Sequence, residues 1–114
     1  MPPVVYVEER VGLVLTGRRL LGFSGGPGRW AEERMRPGEA VVDLALGDEV
    51  AVVVTGDRVL GLSARRVGFD EDSLGPRERI ETVGASDRSG TVMTERAIRT
   101  FSVVRGWSQD RRRD

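Results

Sequence analysis

The side chains in this sequence that can bind or transform a ligand are arginines, carboxylates and a few aromatic rings. His, Cys, Lys and Asn do not occur among its 114 residues, and Gln109 is the one amide side chain. Triads that need a histidine base, thiolate metal sites and Schiff-base chemistry are therefore excluded. The chemistry still open to this sequence is binding of anions by arginine, general acid–base catalysis by carboxylates, and stacking of ligands on aromatic rings.

Arg19 and Arg58 are candidate ligand-binding residues, because each stands at the same place after a Thr-Gly-x turn. Glu39 and Glu78 recur at the same spacing. An arginine can hold an anionic ligand through two hydrogen bonds, or it can tie neighbouring strands together through a carboxylate. Repetition within one chain is what a structural role produces, so the pattern favours the ion pair over the ligand site.

Trp30, Phe69 and Trp107 are the other candidate ligand-binding residues, since each can offer a flat ring to a sugar. The alternative is burial between packed sheets, which a repeat architecture requires of one large residue per unit. The near absence of amide side chains weakens the sugar interpretation, because amides commonly pair with hydroxyls. The sequence therefore favours burial and keeps stacking as the alternative.

Carboxylates cluster at Asp70-Glu71-Asp72 and at Glu32-Glu33, and oxygen ligands suit Ca²⁺ or Mg²⁺. The spacing of a calcium-binding loop is absent. Only alternate residues of a strand share a face, so Asp70 and Asp72 would converge without further ligands. We expect solvated edge charge here, with no metal, no cofactor and no catalytic residue.

A repeat of 39 residues has to position these side chains. The identities between its first two copies are Val11, Val14, Thr16, Gly17, Arg19, Leu21, Gly22, Ser24, Glu32, Pro37 and Glu39, each matched 39 positions later. A third copy begins at Asp87, keeps Val92, Thr94, Ile98, Phe101 and Ser102 in register, and replaces Arg58, Leu60 and Gly61 of the second copy with Ala97, Arg99 and Thr100. Such a period indicates one structural unit repeated three times.

Each repeat reads as four short strands, so we predict an all-β protein. In the second copy the strands are residues 49–55, 58–63, 69–74 and 79–85, with a two-residue turn at Gly56-Asp57 and a break at Gly75-Pro76. These runs are rich in β-branched residues or alternate in polarity, and no segment shows helical periodicity over ten residues.

Four strands per repeat suit a β-propeller blade or one third of a β-trefoil. With each blade starting at the strand before the Thr-Gly-x-Arg hairpin, the single domain 1–114 divides into blades of about 2–35, 39–74 and 78–110. Three blades cannot close a ring, because the first and last would expose wide apolar faces. We therefore predict a six-bladed propeller formed by a homodimer, with a monomeric β-trefoil as the alternative.

In this phasing the repeat resembles a blade of the tectonin or tachylectin type of propeller. In that type an aromatic residue opens the outer strand, and an inner strand of the form Ile-x-x-Val follows. The corresponding segments are Trp30 followed by Val41-Val42-Asp43-Leu44, and Phe69 followed by Ile80-Glu81-Thr82-Val83. The resemblance implies a lectin-like use of the aromatic rings.

The functional prediction is a non-catalytic binding or scaffolding module, lectin-like binding included, whose ligand the sequence does not identify. The alternatives are a lyase or hydrolase that uses carboxylates and arginine in the propeller channel, and a purely structural repeat protein. Because 18 basic and 18 acidic residues cancel, we expect no nucleic-acid partner. The predicted partners are a second copy of the chain and a small molecule or glycan. No membrane segment is apparent, so a cytoplasmic location is expected.

Overall fold

The computed structural model of the protein describes residues 2–112, and these residues form twelve β-strands. Their bounds are β1 Val4–Val7, β2 Val11–Leu15, β3 Arg19–Ser24, β4 Arg29–Arg34, β5 Val41–Leu46, β6 Val50–Thr55, β7 Arg58–Ser63, β8 Phe69–Ser73, β9 Ile80–Ala85, β10 Ser89–Thr94, β11 Ala97–Ser102 and β12 Gly106–Arg111. In the second repeat each strand lies within one residue of its predicted bounds.

The strands form three antiparallel four-stranded sheets, each built from consecutive strands: β1 to β4, β5 to β8, and β9 to β12. We call these sheets blade 1, blade 2 and blade 3. The central hairpin of blade 2 turns at Gly56-Asp57, where the Thr55 hydroxyl oxygen accepts hydrogen bonds from the amides of Asp57 and Arg58. Thr16 and Thr94 accept equivalent bonds, which explains why this threonine recurs.

Blade 2 lies between the other two sheets, and its strands β6 and β7 are buried along their whole length. Because side chains alternate across a strand, the two faces of this blade carry different residues. Ala51, Val53, Leu60 and Leu62 pack with Leu13 and Leu20 of blade 1. Val52, Val54 and Val59 pack with Val92 and Phe101 of blade 3. The core therefore consists of two apolar layers, one at each junction between blades.

A glycine at the centre of each junction admits a large side chain from the next blade. A Cβ atom on Gly61 would lie 2.3 Å from Cδ1 of Phe101, and one on Gly22 would lie 2.5 Å from Cζ of Phe69. Real Cβ contacts are not this short, so the blades can approach this closely only with glycine at these positions. This explains why Gly22 and Gly61 recur in the sequence.

The three sheets stand in a row, and among residues 2–112 no further sheet covers the outer face of blade 1 or the outer face of blade 3. This arrangement of separate stacked sheets is that of propeller blades and differs from the β-trefoil alternative. The all-β prediction and the division into four-stranded sheets are confirmed. Among residues 2–112, no helix has the length and apolar character needed to span a membrane.

Candidate functional site

Arg58, at the start of β7, is buried at the junction of blades 1 and 2, with 1% of its surface exposed. Its Nε and Nη2 donate to Glu39, at 2.8 and 3.0 Å. Nη1 donates to Glu33 at 2.9 Å and to Glu71 at 3.1 Å, and Nη2 also reaches the carbonyl oxygen of Arg34 at 3.0 Å. All five N–H groups of the guanidinium are thus used within the protein.

Glu39, which lies in the linker between β4 and β5, is the buried partner of Arg58, and its side chain has no exposed surface. Burial alone would raise the pKa of this carboxyl. Hydrogen bonds from Arg58, the Arg36 amide and the Thr55 hydroxyl outweigh burial and lower the pKa to about 2. The same pairing with Glu39 raises the pKa of Arg58. We call this buried arrangement of linker glutamate, turn threonine and strand arginine the latch.

A second latch ties blade 3 to blade 2, with Arg99 as its arginine. Nη1 of Arg99 lies 2.5 Å from Glu78, and its Nε donates to Asp72 at 3.3 Å. Thr94 donates to the same glutamate. The hydrogen bond from Arg99 is the main cause that lowers the pKa of Glu78 to about 2, against burial. The two latches therefore have the same chemistry at successive junctions.

The 39-residue shift does not identify Arg99 as a latch residue. The residue aligned with Arg58 is Ala97, and Arg99 aligns with Leu60. Residues 97 and 99 lie on the same face of β11, since a strand repeats every two residues. The signal in the sequence was an arginine two residues after the position aligned with Arg58, together with Glu78 and Thr94 at their own repeat positions.

Arg19 has the repeat position of Arg58 but lies in a different environment, with about half of its side chain exposed. It pairs with Glu32 of its own blade at 3.0 Å. Among residues 2–112, neither Arg19 nor the Thr16 hydroxyl contacts a linker carboxylate; the hydroxyl donates to the carbonyl of Arg19. Blade 1 thus carries two parts of a latch without the third.

Phe69 and Trp107 lie at the junctions between blades. Phe69 packs against the apolar layer shared by blades 1 and 2. Trp107 packs in the layer shared by blades 2 and 3, where its ring lies 5.2 Å from Phe101 and its Nε1 donates to the carbonyl of Asp70 at 3.0 Å. Both aromatic rings therefore serve packing in this structure.

Trp30 is the exception among the three aromatic candidates, with 56% of its surface exposed. It pairs with Phe23 across β3 and β4, and their ring centroids are 5.2 Å apart. Arg19 shares this outward side because it alternates with Leu21 and Phe23 along β3, and Glu32 shares it because it stands opposite Leu21. The predicted site residues thus divide: Arg58, Phe69 and Trp107 lie inside the junctions, and Arg19 and Trp30 lie on one open face.

The acidic run in β8 is engaged by arginines. Asp70 pairs with Arg66, Glu71 with Arg36 and Arg58, and Asp72 with Arg99. Within residues 2–112, no three carboxylates come together in a way that could hold a metal ion.

Comparison with known proteins places the chain by fold. No protein-family model and no curated protein matches the sequence. Among solved structures, human WBSCR16 is similar with a TM-score of 0.51 at 13% identity, over 88% of this chain and 33% of that one. Prp20p from Saccharomyces cerevisiae, described together with its binding to Gsp1p and histones, is similar with a TM-score of 0.53 at 9% identity, over 87% and 32%. The chain spans about a third of the length of each.

These similarities correct one sequence-based prediction. The predicted partners were a second copy of the chain and a small molecule or glycan, with neither nucleic acid nor membrane. That partner prediction is wrong, because a structurally similar protein, Prp20p, is described as binding other proteins. A balanced formal charge excludes little about protein partners, which an apolar sheet face can bind.

The two similarities also refine the resemblance drawn from sequence. They support a fold of repeated β-propeller blades, and they do not single out the tectonin or tachylectin type. The three sheets, their order and the glycine-mediated junctions agree with this fold. The chain is therefore a set of three β-propeller-type blades.

Proposed function

We propose that this chain is a non-catalytic binding module that holds a protein partner on the open face of blade 1. The observation that carries the proposal is the exposed apolar surface there, where Val5, Val7 and Trp30 are 60%, 72% and 56% exposed. An apolar face of this kind in a soluble fold marks an interaction site. Aromatic residues such as Trp30 are enriched at the centres of protein interfaces.

The electrostatics of the latches support a non-catalytic role. A lyase or hydrolase needs a carboxylate that can take and release a proton near the working pH. Glu39 and Glu78 are instead held ionised, with pKa values of about 2, by buried arginines. Their geometry suits the joining of blades, and substrate has no access to them because both side chains are almost completely buried.

The binding of Gsp1p and histones described for Prp20p supports a protein as the ligand class, as a property of a protein with similar blades. A lectin-like role would require aromatic rings that are open to a sugar. Trp30 meets this requirement, whereas Phe69 and Trp107 are packed within junctions. A protein partner also uses the aliphatic residues around Trp30, which a sugar would leave in water.

The test is site-specific photo-crosslinking in an extract of the source cells, with a benzophenone amino acid at position 30. The matched control places the same group at position 104, where Val104 is 63% exposed in a loop of blade 3. We expect a discrete protein adduct from position 30 alone, and weaker binding of the purified partner to a Trp30→Asp variant. Equal labelling from both positions, or saturable glycan binding that depends on Trp30, would contradict the proposal.

A further inference from the structure

In blades 2 and 3, the face that corresponds to the open face of blade 1 packs against the preceding blade. Blade 2 uses Ala51, Val53, Leu60 and Leu62 to pack on blade 1. Shifted by one repeat, these positions are Gly12, Val14, Leu21 and Phe23, which lie on the outward side of blade 1. The open face is therefore the surface by which a blade of this protein packs on the blade before it.

The aromatic pair on this face has a buried counterpart in blade 3. Phe23 and Trp30 have ring centroids 5.2 Å apart at an interplanar angle of 53°, and Phe101 and Trp107 have 5.2 Å and 55°. In blade 3 the phenylalanine ring rests on Gly61, and Trp107 Nε1 donates to the carbonyl of Asp70. Blade 1 holds its pair in the same geometry, although Trp30 Nε1 donates no hydrogen bond within residues 2–112.

The charged end of the open face also has counterparts at the two internal junctions. Arg58 and Arg99 each bind a buried linker glutamate and a carboxylate from the preceding blade, Glu33 or Asp72. Arg19 has its threonine and its strand position, but its carboxylate contact is the exposed Glu32 of its own blade. Arg34 lies opposite Arg19 on the same side of the sheet, so this end of the face has unmatched positive charge.

On these observations, and on the proposed function above, we propose that the occupant of this face is a propeller blade of a different polypeptide. That blade presents a glycine to Phe23, a backbone carbonyl to Trp30 Nε1 and a linker carboxylate to Arg19 and Thr16. Its binding would reproduce the two internal junctions in trans.

A second copy of this chain does not present the required glycine. The position equivalent to Gly22 and Gly61 in blade 3 is Thr100, which points to the outer side of that blade because it alternates with the buried Arg99 and Phe101. At both internal junctions even a Cβ atom would lie within 2.5 Å of the incoming side chains. Phe23 of another copy would therefore meet the side chain of Thr100 where the internal junctions have open space.

The experiment supplies such a blade as a defined probe. The probe is the full chain with Thr91→Val and Thr100→Gly, which copy Val52 and Gly61, and with residues 113–114 replaced by a copy of residues 36–40 to provide a linker glutamate. Asp110 is kept, since it stands opposite Ile98 as Asp72 stands opposite Val59. Val7→Asp and Trp30→Asp block the probe's own blade 1 face and prevent self-association.

Sedimentation velocity and titration calorimetry of the unmodified chain with the probe test the proposal. We expect a one-to-one complex. Its Kd should rise about tenfold when the chain carries Arg19→Ala, which corresponds to a loss of about 1.4 kcal/mol of binding free energy. Arg65→Ala, another half-exposed arginine, is the control and should leave affinity unchanged. A probe that retains Thr100 should bind the unmodified chain at least tenfold more weakly than the probe with Thr100→Gly. Thermal unfolding checks that every variant is folded.

Three results would overturn the inference: no complex between folded partners, equal binding by a Trp30→Asp chain, or equally tight self-association of the unmodified chain. The last result would make a second copy the occupant. If photo-crosslinking at position 30 traps a protein but the probe does not bind, the proposed function stands and the blade-like partner is wrong. If position 30 traps nothing, the proposed function fails independently of the probe.

Discussion

Arg19 and Arg58 occupy the same position in the repeat, but their neighbours give them different environments. Arg58 is enclosed by Glu39, Glu33 and Glu71, so its charge is compensated inside the junction. A buried ion pair adds little stability relative to an apolar pair, but removing one partner leaves an uncompensated buried charge. The chemistry of such a residue therefore depends on whether the next blade is present.

The two arginines give a matched comparison of stability. We expect Arg58→Ala to lower the free energy of unfolding by about 3–5 kcal/mol, because Glu39 would remain buried without its partner. Arg19→Ala should cost less than about 1 kcal/mol, since the pair with Glu32 is exposed to solvent. Urea denaturation followed by circular dichroism measures both changes. Equal losses would show that the latch is not a buried structural element.

The latch glutamates also predict how stability depends on pH. The pKa values of Glu39 and Glu78 fall from a usual 4.5 to about 2 in the folded chain. A carboxyl with a lowered folded pKa contributes stability above its unfolded pKa and loses it as the pH falls towards the folded value. Each contributes on the order of 3 kcal/mol at neutral pH. Stability should therefore fall steeply between about pH 4.5 and pH 2.

Urea denaturation at a series of pH values tests this dependence. Glu39→Gln should lower stability at pH 7 and reduce the loss on acidification, because one of the two titrating latches is removed. Glu32→Gln, which alters the exposed pair with Arg19, is the control and should retain the full acid dependence. An unchanged pH profile in Glu39→Gln would be inconsistent with a buried, ionised glutamate.

At the scale of the strands, much of the fold could be predicted because the repeat carries its own turn and strand signals. The β-branched run before Gly56 and the threonine that accepts the turn amides fix the hairpin locally. The bounds of β6 to β9 followed from this pattern to within one residue. Local patterns of this kind need no knowledge of neighbouring blades.

The parts that could not be predicted depend on contacts between blades. Arg99 supplies the latch arginine of blade 3 from the position aligned with Leu60, two residues after the position aligned with Arg58. The equivalence follows from the strand face that residues 97 and 99 share. Trp30, Phe69 and Trp107 looked alike in sequence, yet Trp30 lies on an open face because no described blade precedes it. Sequence periodicity does not report which copy lies at the end of a stack.

The junction glycine gives a prediction at the level of packing between elements. Gly61→Ala should lower the free energy of unfolding by about 1–3 kcal/mol, because its Cβ would lie 2.3 Å from Phe101 and the sheets would have to separate. Gly56→Ala is the matched control in the same blade, since no heavy atom lies within 4 Å of its added Cβ. Thermal unfolding of both variants measures the difference. A smaller loss for Gly61→Ala than for Gly56→Ala would contradict the packing account.

For the whole molecule, the row of blades has two unlike ends. The outward face of blade 1 is apolar, with a preformed aromatic pair, and at one end it carries two arginines, Arg19 and Arg34, and one carboxylate, Glu32. The outward face of blade 3 includes Thr91 and Thr100. In a ring of two copies, the blade 3 face of one copy would cover the blade 1 face of the other, and Thr100 stands there where the internal junctions have Gly22 and Gly61. This asymmetry is the physical basis for a binding module that presents one specific surface.

The exposure of Trp30 is the most direct measure of the claim that blade 1 offers an open binding face. Acrylamide quenching of two single-tryptophan variants, Trp107→Phe and Trp30→Phe, reports separately on Trp30 and Trp107. The account predicts that quenching of Trp30 is several-fold stronger than quenching of Trp107 in the chain alone, and that it falls when a partner blade binds. Trp30 as protected as Trp107 in the isolated chain would contradict it.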